Sequence, residues 1–165
     1  MATRVLGIDP GSLVTGFGVV EQDANRLAAL AWGTVRTSAK QTLSERLKQI
    51  YAGLSEPLQT WQPESVSVER VFVADNPKSA LTLGHARGVA LLAAAHADID
   101  VVEYSALEIK MAVVGYGRAT KPQVQQMVKN LLRLDDVPKP ADAADALAAA
   151  ICHLHTYSFR RKVSP

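Results

Sequence analysis

Apolar residues recur in this chain with two different periods, and the order in which the periods follow one another restricts it to one broad class of fold. From Thr3 to Ile8 the run TRVLGI reads as a short buried strand, stopped by the turn-forming Asp9-Pro10-Gly11-Ser12. Gly16 to Val20 reads as a second strand and the apolar stretch from about Leu27 to Val35 as a third, so the chain opens as an antiparallel meander. Leu43, Leu47, Ile50, Leu54 and Leu58 then recur at steps of three and four, the spacing of an amphipathic helix. Ser65 to Val71 alternates again and predicts a strand with Val66 and Val68 on the face opposite Glu69. Asn76-Pro77 opens an alanine-rich helix reaching to about Ala97, because proline fits the first helical turn. Asp100 to Tyr104 is a further strand, and helical segments follow near 105–113, 122–134 and 141–157. This order predicts a mixed-sheet α/β domain.

A length of 165 residues suits one compact domain, expected over 1–158, with a basic and flexible tail at 159–165. Apolar residues make up 48% and charged residues 21%, which excludes wholesale disorder and fibrous classes. Cys152 is the single cysteine, so an intrachain disulfide and a cysteine-based zinc site are both excluded. No stretch approaches the ~18 consecutive apolar residues of a membrane span. Asp9 and its turn come too early for a signal peptide, so the cytoplasm is the expected compartment. The formal net charge is only +2, which by itself leans away from a nucleic-acid binder.

Four acids stand where acids are normally avoided. Asp9 directly follows a buried strand, Glu69 lies near the end of the strand SVSVER, and Asp142 and Asp145 sit three residues apart at the start of PADAADALAAAI. Residues at i and i+3 share a helix face, so both carboxylates can aim at one point. Each acid alone has an ordinary explanation, since acids near a helix N-terminus offset the positive end of its dipole. Together they make a set of oxygen donors, which favours a hard cation, Mg²⁺ or Mn²⁺.

Four ordered blocks carry a resemblance. Gly7-Ile8-Asp9-Pro10-Gly11-Ser12 with Thr15-Gly16-Phe17-Gly18 is followed by Glu69-Arg70-Val71-Phe72. Ala80-Leu81-Thr82-Leu83-Gly84-His85-Ala86-Arg87-Gly88 and Ala141-Asp142-Ala143-Ala144-Asp145-Ala146 complete the series. The set resembles the RuvC-type Holliday junction resolvases, the crossover junction endodeoxyribonucleases, over essentially the whole chain. The resemblance implies a ribonuclease-H-like fold, a mixed five-stranded sheet flanked by helices. It implies a metal-dependent endonuclease of DNA recombination and repair that resolves four-way junctions as a homodimer, leaving 5′-phosphate and 3′-hydroxyl ends. It makes Asp9, Glu69, Asp142 and Asp145 the catalytic metal ligands and implies two Mg²⁺ per active site, with Mn²⁺ able to substitute. In such a design two cations ~3.5–4 Å apart activate the attacking water and stabilise the leaving 3′-oxygen. Cooperation with a branch-migration motor is implied, and neither a nucleotide cofactor nor a membrane.

Lys121 and Lys110 match basic positions of the family that hold the scissile phosphate or assist catalysis; unaided, they would read as solvated lysines. Lys110, Arg118, Lys121, Lys129 and Arg133 fall in a segment, 109–133, that contains no acid, a patch suited to a phosphate backbone. Phe72 matches an aromatic position associated with base stacking at the opened junction, where a stacked base is worth ~1–3 kcal/mol. Arg70 and Asp75 depart from the family's pattern around it. His153 and His155 diverge on a helix, Cys152 reads as a small buried hydrophobe, and Trp32 and Trp61 read as packing residues. The alanine-rich helix can pack on its own sheet or across a two-fold axis, and the resemblance puts the dimer contact there.

Two other function classes share parts of this pattern. An actin-like or sugar-kinase-like ATPase also opens with Gly-Ile-Asp-x-Gly, but needs two lobes around its nucleotide, and this chain has length for one. A non-catalytic DNA-binding module of the same fold would gain by losing the four acids, which are all present.

Overall fold

The structure is a computed structural model; it describes residues 1–70 and 76–163, with side chains as far as Tyr157. Strands β1 (Thr3–Asp9), β2 (Val14–Asp23) and β3 (Arg26–Arg36) form the expected meander. Helix α1 (Leu43–Trp61) leads to β4 (Ser65–Glu69), and α2 (Pro77–His96) leads to β5 (Asp100–Tyr104). Helices α3 (Ala106–Val114), α4 (Lys121–Leu132) and α5 (Ala141–Val163) complete the chain. The five-stranded sheet has the order β3-β2-β1-β4-β5, antiparallel across the meander and parallel from β1 to β4 to β5. Helix α5 continues to Val163, across position 159, where the basic tail is expected to begin.

Period-two alternation assigns the two faces of the sheet. Leu6 and Ile8 of β1, Val19 of β2 and Val66 and Val68 of β4 point into one core layer with Ile50, Leu54 and Leu58 of α1 and Ala86, Ala90, Ala93 and Ala94 of α2. Val5 and Val20 point the other way, into a layer built on α5 with Ile109, Val113, Val124, Val128 and Leu132 of α3 and α4. Helix α5 is apolar on nearly every side from Ala143 to Leu154, the pattern of a helix enclosed in the core.

The strand of β4 departs from simple alternation in one respect. Ser67 shares the face of Glu69, yet it is fully buried, and its hydroxyl donates to the Ala149 carbonyl of α5 at 2.7 Å. Both faces of β4 are therefore covered, as a strand with parallel neighbours requires. Trp32 also differs from expectation: it lies on the edge strand β3 and is 39% exposed, whereas Trp61 packs against the α1–α2 layer.

Helix α5 sits unusually close to the meander. A methyl group placed on Gly7 would collide with the Ala146 carbonyl, and one on Gly16 with the Asp142 carbonyl. Glycine is therefore required at both positions by the approach of two backbones. Gly16→Ala is expected to destabilise the protein by ~1–3 kcal/mol, the usual cost of overpacking, in chemical denaturation. A change below about 0.5 kcal/mol would show that α5 has room to retreat.

Candidate active site

The same alternation that sorts the core aims the acids. Asp9 follows Val5 and Gly7 at two-residue steps on the α5 face of β1, and Glu69 follows Ser67 on the α5 face of β4. The parallel register pairs Ile8 with Val68, so Asp9 and Glu69 leave neighbouring strands side by side. Beyond Asp9 the chain is pinned by Thr15, which is fully buried, donates to the Gly11 carbonyl at 2.7 Å and accepts from the Gly11 amide at 3.3 Å. Asp142 and Asp145 lie on the first turns of α5, on the part of the helix that Gly16 admits to the sheet.

The two lysines arrive from α3 and α4. Thr120 caps α4, its hydroxyl accepting from the Gln123 amide while the Gln123 side chain accepts from the Thr120 amide, so Lys121 opens the helix. Its Nζ lies 2.7 Å from Asp145 Oδ2, with the lysine side chain 58% exposed. Ser105 and Glu108 form the equivalent cap of α3, which carries Lys110. Glu69, Lys110, Lys121 and Asp145 line one cleft of about 260 Å³, floored by Ala106, Ile109, Val124 and Ala148.

Electrostatics record how closely the acids are held. Burial, and then the charges of Asp145, Asp142 and Glu69, push the Asp9 carboxyl up to about 7, with Lys121 opposing. Glu69 is raised by burial and by Asp145, with Lys110 and Lys121 opposing. Lys121 is held above the usual ammonium range, chiefly by its hydrogen bond to Asp145.

Among the described residues, no three His, Cys, Asp or Glu side chains close on one point as a ready-made coordination shell. The four acids share a field rather than a single focus. Their chemistry nonetheless fits a hard divalent cation. All the donors are carboxylate oxygens, and the burial and mutual repulsion that together raise Asp9 are what a bound cation would offset.

The structure thus groups Asp9, Glu69, Asp142 and Asp145 with Lys110 and Lys121. Arg118 is exposed in the loop between α3 and α4 and does not line the cleft. Phe72 and Asp75 lie outside the described residues. His153 bonds through Nδ1 to the Tyr104 hydroxyl at 2.9 Å, and His155 through Nδ1 to the Ala112 carbonyl at 2.8 Å, so the pair divides between separate partners. Burial pushes the Cys152 thiol up to about 12, in keeping with an inert packing residue. One residue of the site region went unassigned in the sequence: Arg87, whose guanidinium donates to the Glu69 carbonyl at 2.8 Å. Its signal was an arginine in the middle of an alanine-rich helix.

Comparison with known proteins places this arrangement. The family model described as crossover junction endodeoxyribonuclease RuvC matches residues 5–153. A crossover junction endodeoxyribonuclease RuvC of Syntrophotalea carbinolica is 54% identical over 154 residues, covering 93% of this chain and 95% of that protein. One of Alkaliphilus metalliredigens is 47% identical over 156 residues, covering 94% of this chain and 95% of the relative. Among solved structures, RuvC of Thermus thermophilus in complex with a Holliday junction substrate superposes with a TM-score of 0.91 at 36% identity, covering 96% of each chain. Together with the mixed sheet and its acid-bearing strand ends, these matches show that the chain belongs to the RuvC family of crossover junction endodeoxyribonucleases, on a ribonuclease-H-like fold.

Proposed function

We propose that this chain is a metal-dependent endonuclease that resolves four-way DNA junctions by hydrolysing paired phosphodiesters, as a homodimer in the cytoplasm. The observation that carries the proposal is the gathering of four carboxylates and two lysines at one end of the sheet. An ordinary surface has no reason to bury Asp9 and crowd it with further acids until it is raised to about 7. The Thermus thermophilus relative is bound to a Holliday junction substrate, which supports the choice of DNA. Among the described residues no helix is long and apolar enough to cross a membrane.

Asp9, Glu69, Asp142 and Asp145 are the residues that would hold the metal, in our reading two Mg²⁺, with Mn²⁺ as a substitute. Bound there, such cations supply Lewis acidity and a nucleophilic water at neutral pH. The chain's own groups do the rest. Lys121 and Lys110 present ammonium groups at the cleft, where they hold the scissile phosphate and offset the charge that builds on it. Asp145 orients Lys121 through their 2.7 Å contact. Arg118, exposed one turn before α4, adds a backbone contact, and Phe72 a base-stacking one. The branch-migration motor is a partner suggested by the family alone.

The homodimer is supported by one face of α2. Leu81 and Leu92 are 64% and 48% exposed, and between them a methyl group added at Gly84 or Gly88 would meet nothing within 4 Å. These four residues follow one another at helical spacing and leave a shallow apolar stripe that a second copy of the helix can enter. Replacing Leu81 and Leu92 with Glu is expected to yield monomers in sedimentation experiments with the melting temperature little changed. A dimer that persists would place the contact elsewhere.

Cleavage provides the first functional test. The protein is expected to cut a synthetic four-way junction in Mg²⁺, to spare a linear duplex, and to cut neither with chelator. Asp9→Asn is expected to lower the rate at least ~10³-fold, about 4 kcal/mol of barrier, while junction binding persists. Near-normal cutting by that variant would refute the assignment.

A second test follows from the raised carboxyl. Asp9 has a folded value of about 7 against 3.8 when unperturbed, so the folded state binds the proton more tightly. Stability from this group is present below about 4 and is lost as pH rises through 7. With chelator present, Asp9→Asn should therefore raise the melting temperature more at pH 8 than at pH 5. An equal gain at both values would show that Asp9 is not held in a repulsive, buried setting.

A further inference from the structure

Arg87 has no part in the chemistry above, yet its surroundings are specific. It lies in the middle of α2 with its side chain 17% exposed. Burying a guanidinium is costly unless its donors are used. Here Nη1 donates to the main-chain carbonyl of Glu69 at 2.8 Å, and Nη2 donates to the Glu103 carboxylate. Glu103 stands on β5 opposite Val68 of β4, and its other oxygen lies 3.8 Å from Arg70 Nε. The amide of Arg70 in turn donates to the Tyr104 carbonyl at 2.6 Å.

These contacts converge on the last residue of β4. The direction of the Glu69 side chain is set by the backbone that carries it, and strand pairing ends there. Arg87 supplies a donor to the Glu69 carbonyl at that point, and Glu103 fixes Arg87 in turn. A planar guanidinium can hold the two acceptors in one fixed geometry, which a lysine ammonium cannot reproduce. Groups that orient metal-ligating side chains commonly govern affinity for the metal by ten- to a hundredfold.

We propose that Arg87 is a positioning residue for Glu69: it fixes the end of β4 through the main chain, with Glu103 as its anchor, so that the Glu69 carboxylate faces the acids of α5. The proposal rests on the reading of Glu69 as a metal-binding catalytic acid. It also ties the active-site strand directly to α2, the helix that carries the dimer stripe.

The test compares Arg87→Gln, Arg87→Lys and Glu103→Gln in the full chain, with Glu69→Gln beside them. Calorimetry with Mn²⁺ in the absence of DNA reads the metal site, and the Mg²⁺ concentration for half-maximal junction cleavage reads it again. Arg87→Gln is expected to weaken Mn²⁺ binding and raise the Mg²⁺ midpoint about tenfold, with junction affinity in chelator unchanged. Arg87→Lys should recover only part of this, because one ammonium cannot serve both acceptors in the same geometry. Glu103→Gln, a substitution at a half-exposed position that the fold should tolerate, should shift both readings in the same direction by a smaller factor. Wild-type Mn²⁺ binding in Arg87→Gln would overturn the proposal, as would losses that extend equally to junction affinity and melting temperature. If Glu69→Gln itself cuts normally, the reading of Glu69 falls and the proposal with it. If Glu69→Gln is inactive while Arg87→Gln binds Mn²⁺ as wild type does, the positioning role alone falls.

Discussion

Helix α5 can reach the meander only because Gly7 and Gly16 present no side chain beneath it. The carbonyls of Ala146 and Asp142 occupy the space that a methyl group at either position would need. Everything at the site depends on that approach. It brings Asp142 and Asp145, one helical turn apart, to the end of the sheet where Asp9 and Glu69 emerge from neighbouring parallel strands. The Ser67 hydroxyl bonds the Ala149 carbonyl farther along the same helix, so α5 is tied to the sheet by a hydrogen bond as well as by packing. Helices α3 and α4 then close over α5 and deliver Lys110 and Lys121 to the same cleft.

Held this way, the acids work against the fold. A buried carboxylate is ordinarily given neutral or positive neighbours, whereas Asp9 is both buried and faced by three further acids, and rises to about 7. The positive charge that offsets them comes from Lys121, bonded to Asp145, and from Lys110 near Glu69. The small net charge is misleading for the same reason. Setting the four clustered acids aside from the 16 in the chain leaves 12 against 18 bases, an excess suited to a DNA backbone around an acidic pocket. Position, not total, is what fits the chain to a polyanion.

Much of this was legible in the sequence, because the signals were periodic or local. Period-two runs gave the strands, and the face shared by Ser67 and Glu69 followed from it. Asn76-Pro77 marked the start of α2, where the Asn76 side chain accepts from the Lys78 amide at 2.9 Å. The caps Thr42–Glu45, Ser105–Glu108 and Thr120–Gln123 were equally local signals that would have sharpened three further helix starts. Long-range contacts were not legible. Nothing in the periodic pattern showed that Ser67 would be buried against α5, that Trp32 would stand on an edge strand, or that Arg87 would reach the Glu69 carbonyl. Those facts depend on which elements become neighbours, and single-chain periodicity carries no information about that. The acids were singled out by their odd placement and read together as a hard-cation donor set, and the four ordered motif blocks gave that set its catalytic role before the fold did.

The central claim is that one end of this sheet is a cation site made by seating α5 against the meander. The most direct measurement is a crystal structure of the chain grown with Mn²⁺ and recorded at a wavelength where manganese scatters anomalously. The expected result is anomalous density among the carboxylates of Asp9, Glu69, Asp142 and Asp145. Manganese bound only elsewhere on the protein, with those four acids uncoordinated, would contradict the account.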